Sequence, residues 1–243
     1  MCDYTKPPIT GWAGWPCEST SAYTPVGPWL DATHVIDENI PRMVPFDAPV
    51  FSKFRTLEDD MINVSEISMV VHIGTHVDSP RHFYADGPAF EDVPLERLTG
   101  PGVVVQIDVE PGGVISAEHF ENATPSIEPG DIVALDTGWA AHVGTDTYLQ
   151  HPSIDLAGAQ WLADREIKML AVDFGSPDLP TYQRPTPFDW PVHRLLLKAG
   201  VLISEHLKPP TEVSGRRAEF IFAALNIRAY DGAPARVLVR PTA

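Results

Sequence analysis

The chain has 243 residues, with 33 Asp and Glu against 17 Lys and Arg and a formal net charge of −16. Phosphate backbones and anionic membrane surfaces both call for a basic footprint, so neither nucleic acid nor a membrane is an expected partner. Hydrophobic residues make up 44% of the chain and charged ones 21%, the balance of a globular protein large enough to bury a core without disulfide staples.

Residues 1–28 are rich in Pro, Gly, Trp and Tyr and lack periodicity, so they read as a surface-following arm, with Trp12 and Trp15 packed on the body or on a neighbouring subunit. Cys2 and Cys17 lie in this arm, where a bridge would close a small loop and hold no core. The arm lacks the continuous apolar stretch of a signal peptide, and no run approaches the roughly 20 apolar residues of a membrane span, so a cytoplasmic protein is expected. Residues 29–243 read as a single domain, with no linker, repeat or low-complexity segment to divide them.

Leu30–Ile36 and Pro49–Thr56 are short strand candidates, and Ile62–Ile73 alternates well enough for a strand. Gly102–Val109 is a nearly continuous apolar run that predicts a buried strand. Ser116–Asn122 predicts a short helix, capped by Ser116 with His119 in the third position. Ile132–Asp136 is a second buried strand, Asp155–Glu166 a helix, and Lys168–Phe174 a further strand. A helix is expected within Phe188–Ala199, closed by Gly200. Val201–Ser204, Phe220–Ala229 and Val237–Val239 supply the last strands, the final two separated by a turn at Asp231–Gly232. Strand–helix–strand units recur after residue 130, which predicts an α/β fold with a mixed, strand-rich sheet. Phosphate-loop, dinucleotide-turn and nucleophile-elbow motifs are all absent.

The densest set of candidate ligands is His72-Ile-Gly-Thr-His76-Val-Asp78-Ser-Pro-Arg-His82, with three of the nine histidines and one carboxylate. Imidazoles and a carboxylate suit a borderline or hard divalent ion with positions left for water. In a straight strand His72 and His76 would stand roughly 13 Å apart, and on a helix Asp78 would face away from them. The segment must therefore curl, and Gly74 and Pro80 sit where a strand can end in a tight loop. His82 suits either ligation or proton transfer, because its reference pKa is near neutral.

GTHVDSPRHF, preceded by His72, closely resembles the signature of the metal-dependent cyclase-like amidohydrolases, a family that includes bacterial kynurenine formamidases and isatin hydrolases. The resemblance continues through DVPLERLTGPGVVVQIDV, EPGDIVALDTGW, LAVDFGSPD, HRLLLKAGVLISEHL and DGAPARVLV, in the expected order from about residue 29 onward. It implies a compact swivelling β/β/α-type domain, assembled as a homodimer. It also implies one or two divalent ions, Mn²⁺ or Zn²⁺, with His72, His76 and Asp78 as primary ligands and His82 as proton donor and acceptor. His193 and Glu205 match the distant histidine and glutamate near the second metal position, or its hydrogen-bonded equivalent in mononuclear relatives; the adjacent His206 reads as structural. The chain departs from the usual Glu-Asn-Leu pattern here, with Glu205-His206-Leu207-Lys208-Pro209-Pro210.

The expected activity is hydrolysis of an amide-like C–N bond in a small aromatic substrate. An aryl formamide such as N-formylkynurenine stands first, followed by the cyclic amide isatin, a lactone, and a metal-stabilised binding role without turnover. One of Phe83, Trp139 and Phe174 is expected to stack on the substrate, with core packing the ordinary role of such residues.

Overall fold

The computed structural model describes Trp12 and residues 23–243. Cys2, Cys17 and Trp15 fall outside the described residues. Trp12 packs on the body, its indole N–H donating to the Leu197 carbonyl at 2.7 Å and its ring 5.5 Å from that of Tyr84.

The strands in chain order are β1 (Leu30–Asp31), β2 (Val50–Arg55), β3 (Val64–Ser68), β4 (His76–Asp78), β5 (Thr99–Gln106), β6 (Val114–Ile115), β7 (Ile132–Asp136), β8 (Ser153–Ile154), β9 (Met169–Ala171), β10 (Leu202–Glu205), β11 (Arg217–Ala224) and β12 (Gly232–Pro241). The α-helices are α1 (Leu57–Asp60), α2 (Leu95–Leu98), α3 (Ala117–Glu121), α4 (Leu156–Asp164) and α5 (Pro191–Lys198). Among the described residues, eight strands form one mixed sheet in the order β1-β12-β11-β5-β7-β9-β10-β4, and β4 also pairs with β12. That extra pairing turns the sheet back on itself, which makes it partly barrel-like. Pairs β5–β7, β7–β9 and β9–β10 are parallel; every other pair in this sheet is antiparallel.

Alternation along the strands divides the core in two. Val103, Val105, Val133, Leu135, Leu170 and Ile203 face a cluster that includes Phe120 of α3, Leu162 of α4 and Leu196 of α5. Val104, Ile132, Ala134, Met169, Ala171 and Leu202 face the enclosed side with Val77, Phe220, Phe222 and Val237. Strands covered on both faces need apolar residues at every position, which is why β5 and β7 read as continuous runs.

Helix α3 follows the sequence closely, with Ser116 as N-cap and His119 completing a capping box. Several strand boundaries do not. Leu30–Ile36 yields only the two residues of β1, and Ile62–Ile73 yields β3 followed by an irregular turn rather than one long strand. The last strand is longer than expected, because β12 begins at Gly232 and runs for 10 residues. Among the described residues, β2 and β3 pair only with each other, and all their residues are exposed.

Candidate metal centre and adjoining cavity

Strand β4 is only three residues long, yet it sits between β10 and β12 and is fully buried. Val77 packs into the enclosed core, so His76 and Asp78, one residue to either side, point to the opposite face. Ile203 of β10 packs on that same helix-bearing face, and Glu205 lies two residues further along. The antiparallel register sets Glu205 directly opposite His76, which brings the two side chains together.

His72 reaches the group through the turn that precedes β4. Gly74 makes the turn possible: its φ is +63°, and a Cβ there would lie 2.1 Å from Ile40 Cδ1. His72 Nδ1 is 2.8 Å from Asp78 Oδ1, and its Nε2 is 3.0 Å from Asp231 Oδ2. Beyond β4, a short 3-10 turn over Pro80–His82 places His82 with its ring stacked 4.0 Å from that of His72. His82 Nδ1 is 3.5 Å from the same Asp231 oxygen.

His193 comes from the first turn of α5, which opens with Pro191 at its first position. Asp178 accepts from the backbone N–H groups of Val192 and His193 at 2.9 and 3.0 Å, and its Oδ2 lies 2.6 Å from His193 Nδ1. One carboxylate thus satisfies the helix end and orients the imidazole. His193 Nε2 then lies 3.1 Å from Glu205 Oε1 and 3.6 Å from Asp78 Oδ2.

These contacts unite all six residues singled out for the chemistry. His72, His76 and Asp78 offer ligand atoms within 4.8 Å of one another, as do Asp78, His193 and Glu205. A third set, His76, Glu205 and His206, and a fourth, His72, His82 and Asp231, meet the same distance. Three atoms in the cluster, His76 Nε2, Asp78 Oδ2 and Glu205 Oε1, are buried without a hydrogen-bond partner among the described residues. Buried nitrogens and carboxylate oxygens left open toward one another are costly for a protein alone and suited to a cation.

The charge balance agrees. Burial works against the charged form of His193, but the hydrogen bond to Asp178 and the nearby carboxylates of Asp78 and Glu205 outweigh it and raise its pKa well above the usual value. Burial likewise opposes protonation of His72, yet Asp78 and Asp231 raise it to about 10. Burial of Asp78 opposes its ionisation, and the neighbouring His72 and His76 overcome this, so its carboxyl stays well below the ordinary range. Protons on His72 and His193 balance the carboxylates where an ion would otherwise do so.

The cluster opens into a cavity of about 410 Å³ lined by His72, His82, His193 and Glu205 together with Met43, Val44, Pro45, Phe46, Phe83, Trp190 and Arg184. Arg184 is half-buried, with its guanidinium carbon 5.0 Å from the Phe188 ring centre and 5.6 Å from that of Trp190. Phe83 is therefore the aromatic residue of the expected three that faces this space. Trp139 and Phe174 are in the core, where Trp139 donates to the Tyr148 carbonyl and Phe174 stacks on His151.

Sequence reasoning missed Asp178, Asp231, Arg184, Phe46 and Trp190. The sequence marks Asp231 only as a turn residue, although Gly232, which follows it, pairs with Asp78. Asp178 stood within a recognised segment, and the Pro191-Val-His193 helix start was the available hint that a capping acid was needed.

A family profile described as "Putative cyclase" matches residues 30–179. Kynurenine formamidase from Bordetella petrii is 28% identical over 188 residues, covering 77% of this chain and 85% of that protein. The Bacillus cereus kynurenine formamidase is 27% identical over 223 residues, covering 88% and 97%. A solved structure described as a potential metal-dependent hydrolase with cyclase activity superimposes with a TM-score of 0.72 at 27% identity, over 88% of this chain and 98% of that one. Isatin hydrolase A from Labrenzia aggregata shares the fold with a TM-score of 0.80 at 24% identity, over 89% and 94%. The chain thus belongs to the cyclase family and has the fold of its metal-dependent hydrolases.

Proposed function

We propose that this protein hydrolyses an amide-like C–N bond in a small aromatic substrate, using divalent metal held by His72, His76, Asp78, His193 and Glu205. The observation that carries this reading is the set of unpartnered buried donor atoms at the edge of an aromatic-lined cavity. The donor set fits one ion, or two ions that share Asp78, since Asp78 belongs to two of the triads. Mixed imidazole and carboxylate donors suit Zn²⁺ or Mn²⁺. Such an ion polarises a carbonyl and makes water more acidic.

The protein's own groups account for the remaining steps. His82 lines the cavity beside the cluster, with one ring nitrogen toward Asp231 and its ring stacked on His72. From there it takes the proton of the attacking water and delivers it to the departing nitrogen. The water oxygen bonds to the carbonyl carbon, the C–N bond breaks, and the nitrogen leaves with the proton. Phe46, Phe83 and Trp190 offer faces for a flat ring. Arg184 supplies a cation for a second carbonyl or for the carboxylate formed on ring opening.

Among substrates, opening of a cyclic amide such as isatin fits this cavity better than cleavage of N-formylkynurenine. The apolar walls suit a flat bicyclic molecule, whereas an amino-acid head group needs an acid for its ammonium, and the lining acid, Glu205, belongs to the donor cluster. The formamide stays as the second reading because of the 27–28% identical kynurenine formamidases. Residues 29–243 act as one domain in this reading, in a cytoplasmic setting. The exposed β2–β3 ribbon, carrying Phe51, Phe54 and Ile67, supports assembly as a homodimer, because an isolated two-stranded ribbon is marginal in water.

The test is kcat/KM for isatin, N-formylkynurenine and a simple lactone, measured side by side at full Zn²⁺ or Mn²⁺ loading. Isatin is expected to lead by about tenfold or more, in line with the discrimination a shaped apolar pocket gives. Faster formamide turnover would restore the formamidase reading. Rapid lactone hydrolysis alone would remove the C–N assignment, and no turnover at all would leave a binding protein.

A further inference from the structure

The third triad, His76, Glu205 and His206, contains the residue at which this chain leaves the Glu-Asn-Leu pattern. His206 is fully buried, and its φ of +55° lies in the left-handed region that side chains beyond glycine enter at a cost. Its backbone is fixed from two directions. The N–H donates to the Phe174 carbonyl at 3.0 Å, and the carbonyl accepts from the Thr75 hydroxyl at 2.6 Å, one residue before His76.

The ring is equally constrained. Nδ1 lies 2.5 Å from the Tyr148 hydroxyl, and the two rings stack with centres 5.8 Å apart. The other nitrogen, Nε2, is buried with no hydrogen-bond partner among the described residues. Gly175, which lines the cavity, leaves room beside the ring: a Cβ there would stand 3.2 Å from His206 Cε1. A residue that merely filled this space would avoid the cost of an unpaired imidazole nitrogen. One ligand atom from each of His76, Glu205 and His206 nevertheless lies within 4.8 Å of the other two.

We propose that His206, oriented by Tyr148, is an additional nitrogen donor to the metal centre and biases it toward Zn²⁺ or Co²⁺ over Mn²⁺. Nδ1–H donates to the Tyr148 oxygen, which leaves the Nε2 lone pair for the ion. An added imidazole favours metals that take nitrogen over those content with oxygen. The inference rests on the reading of His76 and Glu205 as ligands, and it goes beyond that reading by adding a donor.

The experiment uses the full chain, stripped with chelator and titrated with Co²⁺, Zn²⁺ and Mn²⁺ separately. Its readouts are the visible absorption of bound Co²⁺ and the affinity for each ion. His206→Asn is expected to shift the Co²⁺ bands and to weaken Co²⁺ and Zn²⁺ by about tenfold or more, with a smaller change for Mn²⁺. Tyr148→Phe keeps the ring and removes the orienting oxygen, and it should weaken Zn²⁺ by about 10–100-fold, the usual effect of losing a ligand's hydrogen-bond partner. His76→Ala should abolish binding. Loss of binding in His76→Ala with unchanged affinities and spectrum in His206→Asn would overturn the proposal and leave the metal centre intact. Should His206→Asn fail to fold, Tyr148→Phe decides, and an unaltered Co²⁺ spectrum there counts against it. A wild-type chain that binds none of the three ions removes the functional reading itself.

Discussion

Two groups of histidines have their pKa values moved in opposite directions by their surroundings. His72 and His193, among Asp78, Asp178, Asp231 and Glu205, have their pKa values raised despite burial. His34 and His151 are pushed down to about 4 by burial, and burial also holds His206 well below the usual value. None of these three has a carboxylate at hydrogen-bond distance among the described residues. Burial alone makes an imidazole neutral; carboxylates turn the same residue into part of a site that calls for positive charge. The carboxylate-rich side is therefore where a cation is needed, and the carboxylate-poor side is where uncharged nitrogen is available.

The most severe way to break this contrast is to remove the acid that ties the rich side together. Asp78 contacts His72, His76 and His193 and is 1% exposed. Asp78→Ala should lose most of the bound metal and nearly all hydrolysis, measured by elemental analysis and turnover. Full metal occupancy in this variant would refute the assignment of the ligand set. A smaller, separable loss is expected from His82→Ala. His82 groups with His72 and Asp231, apart from both triads that share Asp78, so the variant should keep the metal held through Asp78 while kcat drops about 10²–10⁴-fold. An empty His82 variant would make His82 a ligand and reverse the division of roles.

Much of this arrangement was legible in the sequence because its signals are local. His72, His76, Asp78 and His82 fall within one short segment, and Gly74 announced the bend that lets them converge. Helix α3 carried its own cap, and β7 its own apolar run, so both were found where they occur. Asp178 and Asp231 carried no such mark. Each acquires its role from a partner brought close by the fold: Asp178 from the start of α5, and Asp231 from the pairing of Gly232 with Asp78. Strand β4 was hidden for the same reason, since three residues hold little propensity and its strand identity comes from two neighbours distant in sequence. Phe46 and Trp190 lie outside regular helices and strands, where no periodicity points toward a cavity.

The subtlest expectation sharpens the contrast through pH. His72 has a folded-state pKa of about 10, above its ordinary 6.5, because attraction to Asp78 and its contact with Asp231 overcome burial. A group whose pKa rises on folding stabilises the fold fully below its unfolded value, and that contribution disappears as pH climbs through the folded value. The metal-free chain should therefore lose stability between about pH 6.5 and 10. Asp173, raised to about 7 by burial, also loses its contribution with rising pH, but its window closes near neutrality and is common to both forms of the protein. His34 and His151 act in the opposite sense: their depressed pKa values give stability above 6.5 that is lost as pH falls toward 4. In the loaded protein an ion takes over the charge balance on the carboxylate-rich side, so the alkaline slope should flatten. Calorimetric melting at pH 7.5, 8.5 and 9.5, with chelator and with saturating Zn²⁺, should show Tm of the metal-free chain falling by a few degrees more than that of the loaded one, about 2–4 °C for each kcal/mol in a chain of this size. Parallel slopes would mean that the imidazolium charge on His72 does not stand in for the ion.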